Sequence, residues 1–433
     1  MPFSALKLHP DVLRGIQQLG FEKPTPIQEQ TIPPLIEGRD VLASAMTGSG
    51  KTAAFALPIL HKLAESPKRK TRALILTPTR ELATQIEEHI RSLARYTRTT
   101  TAVVFGGVAT RPQEQAFRRG AEVIVATPGR LLDHMRSPYA AMRDLEIVVL
   151  DEADRMLDMG FLPDVRRILG KLPQQRQTLL FSATMPAQIK ALSGEMLRNP
   201  VTIALGRPST PAPLISQAAY PVPAELKSAL LVELVRRGEI KSVIAFTRTK
   251  HRANRLADYL SKNGVSAGRI HGNRTQAQRT QALTQFKAGK FPVLVATDIA
   301  ARGIDVDALS HVINFDVPAS PEDYVHRVGR TARADAKGDA FLFVSPQEER
   351  DARGIERAIG RKLPRLTLSD FDYRQRPSTK LEIPLQERLA KVRAERAAGR
   401  RRVATNGRRE TTPPPRNHNR RGPGARPAAG RRG

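Results

Sequence analysis

Short runs of Val, Ile, Leu and Ala alternate with amphipathic stretches along most of the chain. In the first half the apolar runs fall at 41–45, 73–77, 101–105, 122–126, 146–150 and 178–181. Because they are near-continuous, they predict parallel strands buried on both faces. The stretches between them carry helical spacing, as where Leu82, Ile86, Ile90 and Leu93 share one face. Upstream, Leu8, Val12, Ile16 and Leu19 predict a helix closed by Gly20. The pattern then repeats. A helix over 225–236 precedes strands at 243–246, 265–270, 293–296, 310–315 and about 340–344. Ala253, Leu256, Ala257 and Leu260 mark a helix that ends at Asn263-Gly264. The fold class is therefore α/β, with two parallel sheets covered by helices on both faces. The domains are expected at 1–206 and 224–365, joined by a Pro-rich linker at 207–223, with a largely disordered tail at 366–433.

Composition narrows the setting. A length of 433 residues suits two or three domains. The absence of cysteine excludes disulfides and thiolate metal sites and suggests a reducing, cytoplasmic compartment. The N-terminus has no signal-peptide pattern, and no uncharged run of about 18 residues could span a bilayer. A soluble protein with no membrane partner is expected. A net charge of +29 points to a polyanion, with nucleic acid ahead of membrane. From Lys391 to Gly433 there are 14 basic and two acidic residues. Such a tail tethers nucleic acid by charge or merely solubilises the chain; with no aromatic after Tyr373, base stacking is not its mode.

The first apolar run leads into Ala45-Met46-Thr47-Gly48-Ser49-Gly50-Lys51-Thr52, and helix formers lead out. Strand, glycine-rich turn and helix together place backbone N–H groups where they can hold phosphates. Thr47, Gly48, Ser49 and Gly50 would cradle them, Lys51 would reach the β- and γ-phosphates, and the Thr52 hydroxyl would ligate Mg²⁺. The first glycine of the usual loop is Ala45 here, which leaves a flexible, non-binding βα turn as the alternative. The run at 146–150 ends in Asp151-Glu152-Ala153-Asp154. There Asp151 would hold the Mg²⁺ shell, largely through water, and Glu152 would activate a water. Pro24 and Pro26 stiffen a platform that sets an aromatic ring, Phe21, and an amide, Gln28, for an adenine edge. ATP with Mg²⁺ is the implied cofactor.

Other polar clusters follow strand ends. They are Pro78, Thr79 and Arg80; Gly106 and Gly107; and Thr127, Pro128, Gly129 and Arg130. Small residues, hydroxyls and arginines at helix starts make phosphate seats, and three on one sheet edge suggest a nucleic-acid backbone track. In the second half, strand ends deliver Thr247, Arg248 and Thr249, then Thr297 with Asp298, Gly303 and Asp305. No phosphate loop occurs there. Arg330 and Arg333 are three apart, so on one helical turn they would face a transferring phosphoryl group together.

In order and spacing these motifs resemble the DEAD-box ATP-dependent RNA helicases of superfamily 2, over roughly residues 3–365. Phe3 and Gln28 resemble that family's Q motif with its upstream aromatic, and alanine is usual at the position of Ala45. Ala332 stands where glycine is usual, and Asp154 separates the chain from DEAH-type relatives. The resemblance implies two RecA-like domains that close on ATP, bend one RNA strand and unpair a short duplex. It implies that Gly303 and Asp305 serve the nucleotide, with Asp305 on the ribose. It further implies that Ser182, Thr184, Asp154 and His326 couple nucleotide to RNA. The N-terminal stretch looks most like the bacterial RhlE-type subgroup. Candidate partners are RNA, bound without sequence choice, and ribosomal-precursor or RNA-decay complexes, with the protein a monomer. The rival reading is an ATP-timed RNA clamp or annealing chaperone.

Overall fold

A computed structural model of the chain describes residues 2–45, 48–66, 69–205, 215–301, 309–331 and 338–375. Thr47, Gly303, Asp305, Arg333, residues 207–214 of the expected linker and the tail beyond Gln375 lie outside the described residues. Two all-parallel sheets organise the rest. The first contains β1 (Val41–Ser44), β2 (Ala73–Leu76), β3 (Thr101–Val104), β4 (Val123–Ala126), β5 (Ile147–Leu150), β6 (Gln177–Ser182) and β7 (Val201–Ala204). Its spatial order is β3-β4-β2-β5-β6-β1-β7. The second contains β8 (Ile215–Pro221), β9 (Val243–Thr247), β10 (Ala267–Ile270), β11 (Val293–Thr297), β12 (His311–Asn314) and β13 (Gly338–Val344). Its order is β10-β11-β9-β12-β13-β8.

Alternation within the strands distributes the core. Ile75, Val125, Val149 and Phe181 face one layer of helices, while Leu74, Ile124, Val148 and Leu180 face the other. The second sheet does the same, with Val243, Val293 and Ile313 on one face and Ile244, Leu294 and Val312 on the other. Parallel strands place all their carboxyl ends on one edge, where ligands of such sheets bind. At the opposite edge the chain turns tightly, as at Arg119-Gly120 before β4 and Gly238-Glu239 before β9; Arg119 and Glu239 are exposed there. No helix among the described residues is long and apolar enough to cross a membrane.

Two expectations change. Ile215–Pro221, expected within the linker, is β8, paired with β13 from Ile215↔Gly338 to Pro221↔Val344. Pro221 is tolerated because its ring faces the open side of the sheet, beyond the single bridge that Ala219 makes to Arg365, where no N–H bond is owed. The second domain also runs past residue 365. The Leu366 N–H donates to Ala219 O at 2.8 Å, and Leu368 is buried with Phe371 and Tyr373 packed beside it. The edge strand β7 had no apolar run to announce it, because only Ile203 of its four residues is buried.

Candidate active site

The loop after β1 is built around glycine conformations. Gly48 and Gly50 have φ of +83° and +92°, in the left-handed region that costs glycine least. A Cβ on Gly50 would stand 2.6 Å from Gln28 Nε2 and 2.9 Å from Thr25 Oγ1. Those two side chains brace the loop. Gln28 Nε2 donates to Gly50 O at 3.1 Å, and Thr25 Oγ1 donates to Ser49 O at 2.9 Å. Gln28 Oε1 meanwhile accepts from the Thr25 N–H at 2.9 Å, leaving one N–H and one lone pair of the amide for a ligand. Lys51 opens the helix Lys51–Glu65, and its Nζ donates to Ala45 O at 2.8 Å across the loop. Phe21 stacks on His89 with centroids 6.0 Å apart, and Phe3 is buried in the core below.

At the tip of β5, Asp151, Glu152 and Asp154 are all buried. Burial pushes the Asp151 carboxyl up to about 7, although the Lys51 ammonium opposes it. A buried carboxylate held near neutrality is a fit oxygen ligand for a hard cation, whose charge would ionise it. Mg²⁺ asks the protein for only one or two carboxylates and takes its other oxygens from phosphates and water. Asp151 and the Thr52 hydroxyl supply that donor set. Glu152 adopts φ +54° and ψ +52°, an uncommon region for a side chain of its size. Its carboxylate lies 3.4 Å from Arg155 Nε.

Asp154 is a junction. Its Oδ2 accepts from the Thr184 N–H at 2.8 Å and the Thr184 hydroxyl at 2.9 Å. Its own N–H donates to Ser182 Oγ at 3.2 Å. From the second domain, His326 Nε2 reaches within 4.0 Å of the same Oδ2. Beside it lies a small cavity lined by Arg155 of the first domain and by Asp298, His326, Arg327 and Arg330 of the second. Arg327 is fixed there by Asp298, with Nε–Oδ1 2.6 Å and Nη2–Oδ2 2.8 Å, and by Asp316 O at 2.8 Å. Arg330 is buried against this cavity but not on a helical turn. The helix Pro321–Val328 ends at the Gly329 cap, and the Arg330 N–H closes a turn onto Arg327 O at 3.1 Å. The shared helical face expected for the arginine pair is therefore not present at Arg330.

The polar strand ends of the first sheet converge because β3, β4 and β2 are neighbours. Arg80 lies against Gly107, where a Cβ would meet its Nη1 at 2.1 Å. Arg130 Nη1 donates to Val108 O at 3.2 Å, joining the 127–130 turn to the 106–110 loop. Pro78, Thr79 and Thr127 are buried and shape these turns, whereas Arg80, Gly107, Gly129 and Arg130 present surface. In the second sheet Thr247 is wholly buried, its register partner being Thr297. Its hydroxyl lies 3.4 Å from both Ala296 O and Thr249 O, so the surface at these strand ends is that of Arg248, Thr249 and the half-buried Thr297.

Comparison with known proteins matches this constellation. A family model described as DEAD/DEAH box helicase matches residues 25–192, and one described as helicase conserved C-terminal domain matches residues 226–335. The chain is 41% identical over 370 residues to the DEAD-box ATP-dependent RNA helicase CshA of Bacillus anthracis, covering 86% of this chain and 70% of that protein. The chain belongs to the DEAD-box ATP-dependent RNA helicases. It is also 42% identical over 357 residues to RhpA of Helicobacter pylori, covering 82% of this chain and 72% of that one. Among solved structures, S. cerevisiae Dbp5 bound to RNA and ADP BeF3 superimposes with a TM-score of 0.78 at 33% identity, over 84% of this chain and 95% of that chain. Mss116p bound to ssRNA and AMP-PNP gives 0.77 at 28% identity, over 86% and 80%.

The helicase also has site residues to which sequence reasoning gave no role. Glu81, beside the 78–80 turn, pairs with Arg279 Nη2 at 3.0 Å and accepts from Gln276 Nε2 at 2.8 Å. This clasp ties the first domain to the second. The available signal was Gln276 and Arg279, three apart on one helical face. Arg155 was likewise unmarked, and Asp298, noted at a strand end, was given no role, since neither reveals its partner until the sheets are folded.

Proposed function

We propose that this helicase unwinds short RNA duplexes locally, through ATP-driven closure of its two RecA-like domains. Residues 48–52 hold the ATP phosphates, Gln28 offers its remaining amide valences to the base, and Thr52 and Asp151 hold Mg²⁺. Bound there, Mg²⁺ supplies charge neutralisation on the phosphates. Glu152 takes the proton of the attacking water, and Arg330 faces the developing negative charge from the second domain. Arg80, Gly107, Gly129, Arg130, Arg248 and Thr297 line an RNA path made of backbone contacts, hence without sequence choice. Release of ADP and phosphate reopens the domains.

The observation that carries this reading is Asp154. One buried carboxylate binds Thr184 of its own domain and lies 4.0 Å from His326 of the other. Occupancy of the nucleotide site thereby bears on the distance between domains. A cytoplasmic monomer acting on ribosomal precursors or in RNA decay is the setting we propose. The finer RhlE-type placement rests on the N-terminal stretch alone, since the relatives named above are of the CshA and RhpA types.

The test is steady-state ATP hydrolysis together with separation of a short duplex. RNA should stimulate turnover where single-stranded DNA does not, and Lys51→Ala should abolish separation. Strong stimulation by DNA would sink the RNA assignment. Annealing that persists in Lys51→Ala, without duplex separation in the wild type, would favour the clamp or chaperone.

A further inference from the structure

The helix Glu349–Ile359, which follows β13, buries Ala352, Ile355 and Ile359 and turns arginines to solvent. Arg350, Arg353 and Arg357 recur at i, i+3 and i+7, and Arg361 continues the series just past the Gly360 cap; all four are exposed. At 3.6 residues per turn Arg350, Arg353 and Arg357 form one narrow stripe, about 10 Å long at 1.5 Å per residue, with Arg361 just beyond its end. Exposed Lys362 extends it.

Several helix arginines elsewhere in the molecule are answered by an acid one turn earlier. Arg14 has Asp11, Arg91 has Glu87, Arg118 has Glu114 and Arg237 has Glu233. Along the stripe, only Arg353 has such a partner, Glu349 at 3.3 Å. One turn before Arg357 stands Arg353. Like charges at that spacing weaken a helix, so the stripe is kept at a cost to local stability. Two nearby acids are drawn to Arg365, while Asp351 stands exposed beside Arg350. Glu356 Oε1 accepts from Arg365 at 2.8 Å and from the Leu363 N–H at 2.8 Å, and Glu349 also pairs with Arg365 at 3.2 Å. The stripe begins two residues after Glu348, whose carboxylate lies 3.8 Å from Arg248.

We propose that this stripe is a second RNA-binding surface, taking the phosphates of RNA that extends beyond the cleft between the domains. It rests on the helicase reading above, which supplies the RNA and the role of Arg248. Arginine suits the task, because a guanidinium meets phosphate oxygens with two donors at once. No aromatic residue interrupts 349–362, so the surface binds charge rather than stacked bases. The basic C-terminal segment carries the same sign and is no candidate to cover it.

The test compares the full chain with R350Q/R357Q/R361Q, measuring affinity for RNAs of increasing length over a salt series with a non-hydrolysable ATP analogue. Wild-type affinity should rise with length, and the variant should lose most of that rise while matching wild type on the shortest RNA. Three lost phosphate contacts should make the slope of log K against log salt shallower by about 2 on long RNA. R350K/R357K/R361K should restore the slope, because charge is what the surface offers. Equal slopes and affinities on long RNA would overturn the proposal, leaving the stripe to an acidic protein partner. A loss of equal size on the shortest RNA would also overturn it, by placing these arginines in the cleft. RNA-stimulated turnover is read on the same samples. A wild type that does not respond overturns the helicase reading, while the salt slopes still decide the stripe.

Discussion

Glu152 shows how far a single residue can be read. Its chemistry is plain in the sequence, as a carboxylate directly off a buried strand beside Asp151. Its left-handed backbone is not, since nothing in Asp-Glu-Ala-Asp announces a φ of +54°. That conformation carries strain of order 1–3 kcal/mol, stored at the point where a water must be aimed. Glu152→Gln keeps the backbone and the side-chain volume but removes the base. Turnover should fall by roughly 100-fold or more, the range of lost general-base catalysis, while ATP and RNA still bind. Single-turnover hydrolysis beside nucleotide titration separates the two; weakened ATP binding would instead make Glu152 part of the metal site. Gln28 was expected as an adenine-facing amide, a role that belongs to the proposed function. Its second task, bracing Gly50, was not legible, because a contact across 22 residues leaves no local pattern.

Among elements, the strands were the most legible, since fully buried parallel strands must be apolar along their whole length. The failures share one cause. β7 and β8 are edge strands: β7 buries only Ile203, and β8 follows a Pro-rich stretch and ends in Pro221, so both resemble loops. The helix near Arg330 failed differently, because spacing shows a potential face and not where a Gly cap ends the helix. One helix pair permits a pH prediction. His134, on the helix Pro128–His134, stands 2.9 Å from the Tyr139 hydroxyl by Nδ1 and 3.3 Å from Gln113 Oε1 by Nε2. Gln113 Nε2 donates to Phe105 O at 3.0 Å, so Nε2–H of a neutral imidazole meets Gln113 Oε1. Burial, helped by the Arg130 charge, holds the His134 pKa below its ordinary value of 6.5. The unfolded chain therefore binds this proton more readily than the folded one. Stability from His134 is complete above about pH 6.5 and drains away as pH falls towards the folded value. Urea midpoints between pH 7 and pH 5 should fall more steeply for wild type than for His134→Gln. Parallel curves would show that His134 does not titrate on unfolding.

At the scale of the whole molecule, the clasp of Glu81 with Arg279 and Gln276 links the two domains beside the 78–80 turn. Both charged side chains are nearly buried, at 9% and 13% exposure. Breaking such a pair from one side costs about 3 kcal/mol, whereas removing both partners costs less. Glu81→Ala should raise the RNA concentration for half-maximal turnover by roughly 100-fold, and Glu81→Ala with Arg279→Ala should recover part of it. Additive losses in the titration would mean that the pair does not act together. The two-domain plan was legible from the repeated strand pattern, but the clasp was not, because its partners lie 195 and 198 positions apart.

Parallel topology has one more consequence, and it concerns how closure could be watched. Every strand sends its carboxyl end to the working edge, so the opposite edge of each sheet is free of the machinery. Arg119 and Glu239 sit there, one in each domain, exposed beside tight turns. A chain with no native cysteine accepts two introduced thiols without competition from its own. Fluorophores at 119 and 239 would report the separation of the domains from the idle side, leaving nucleotide and RNA undisturbed.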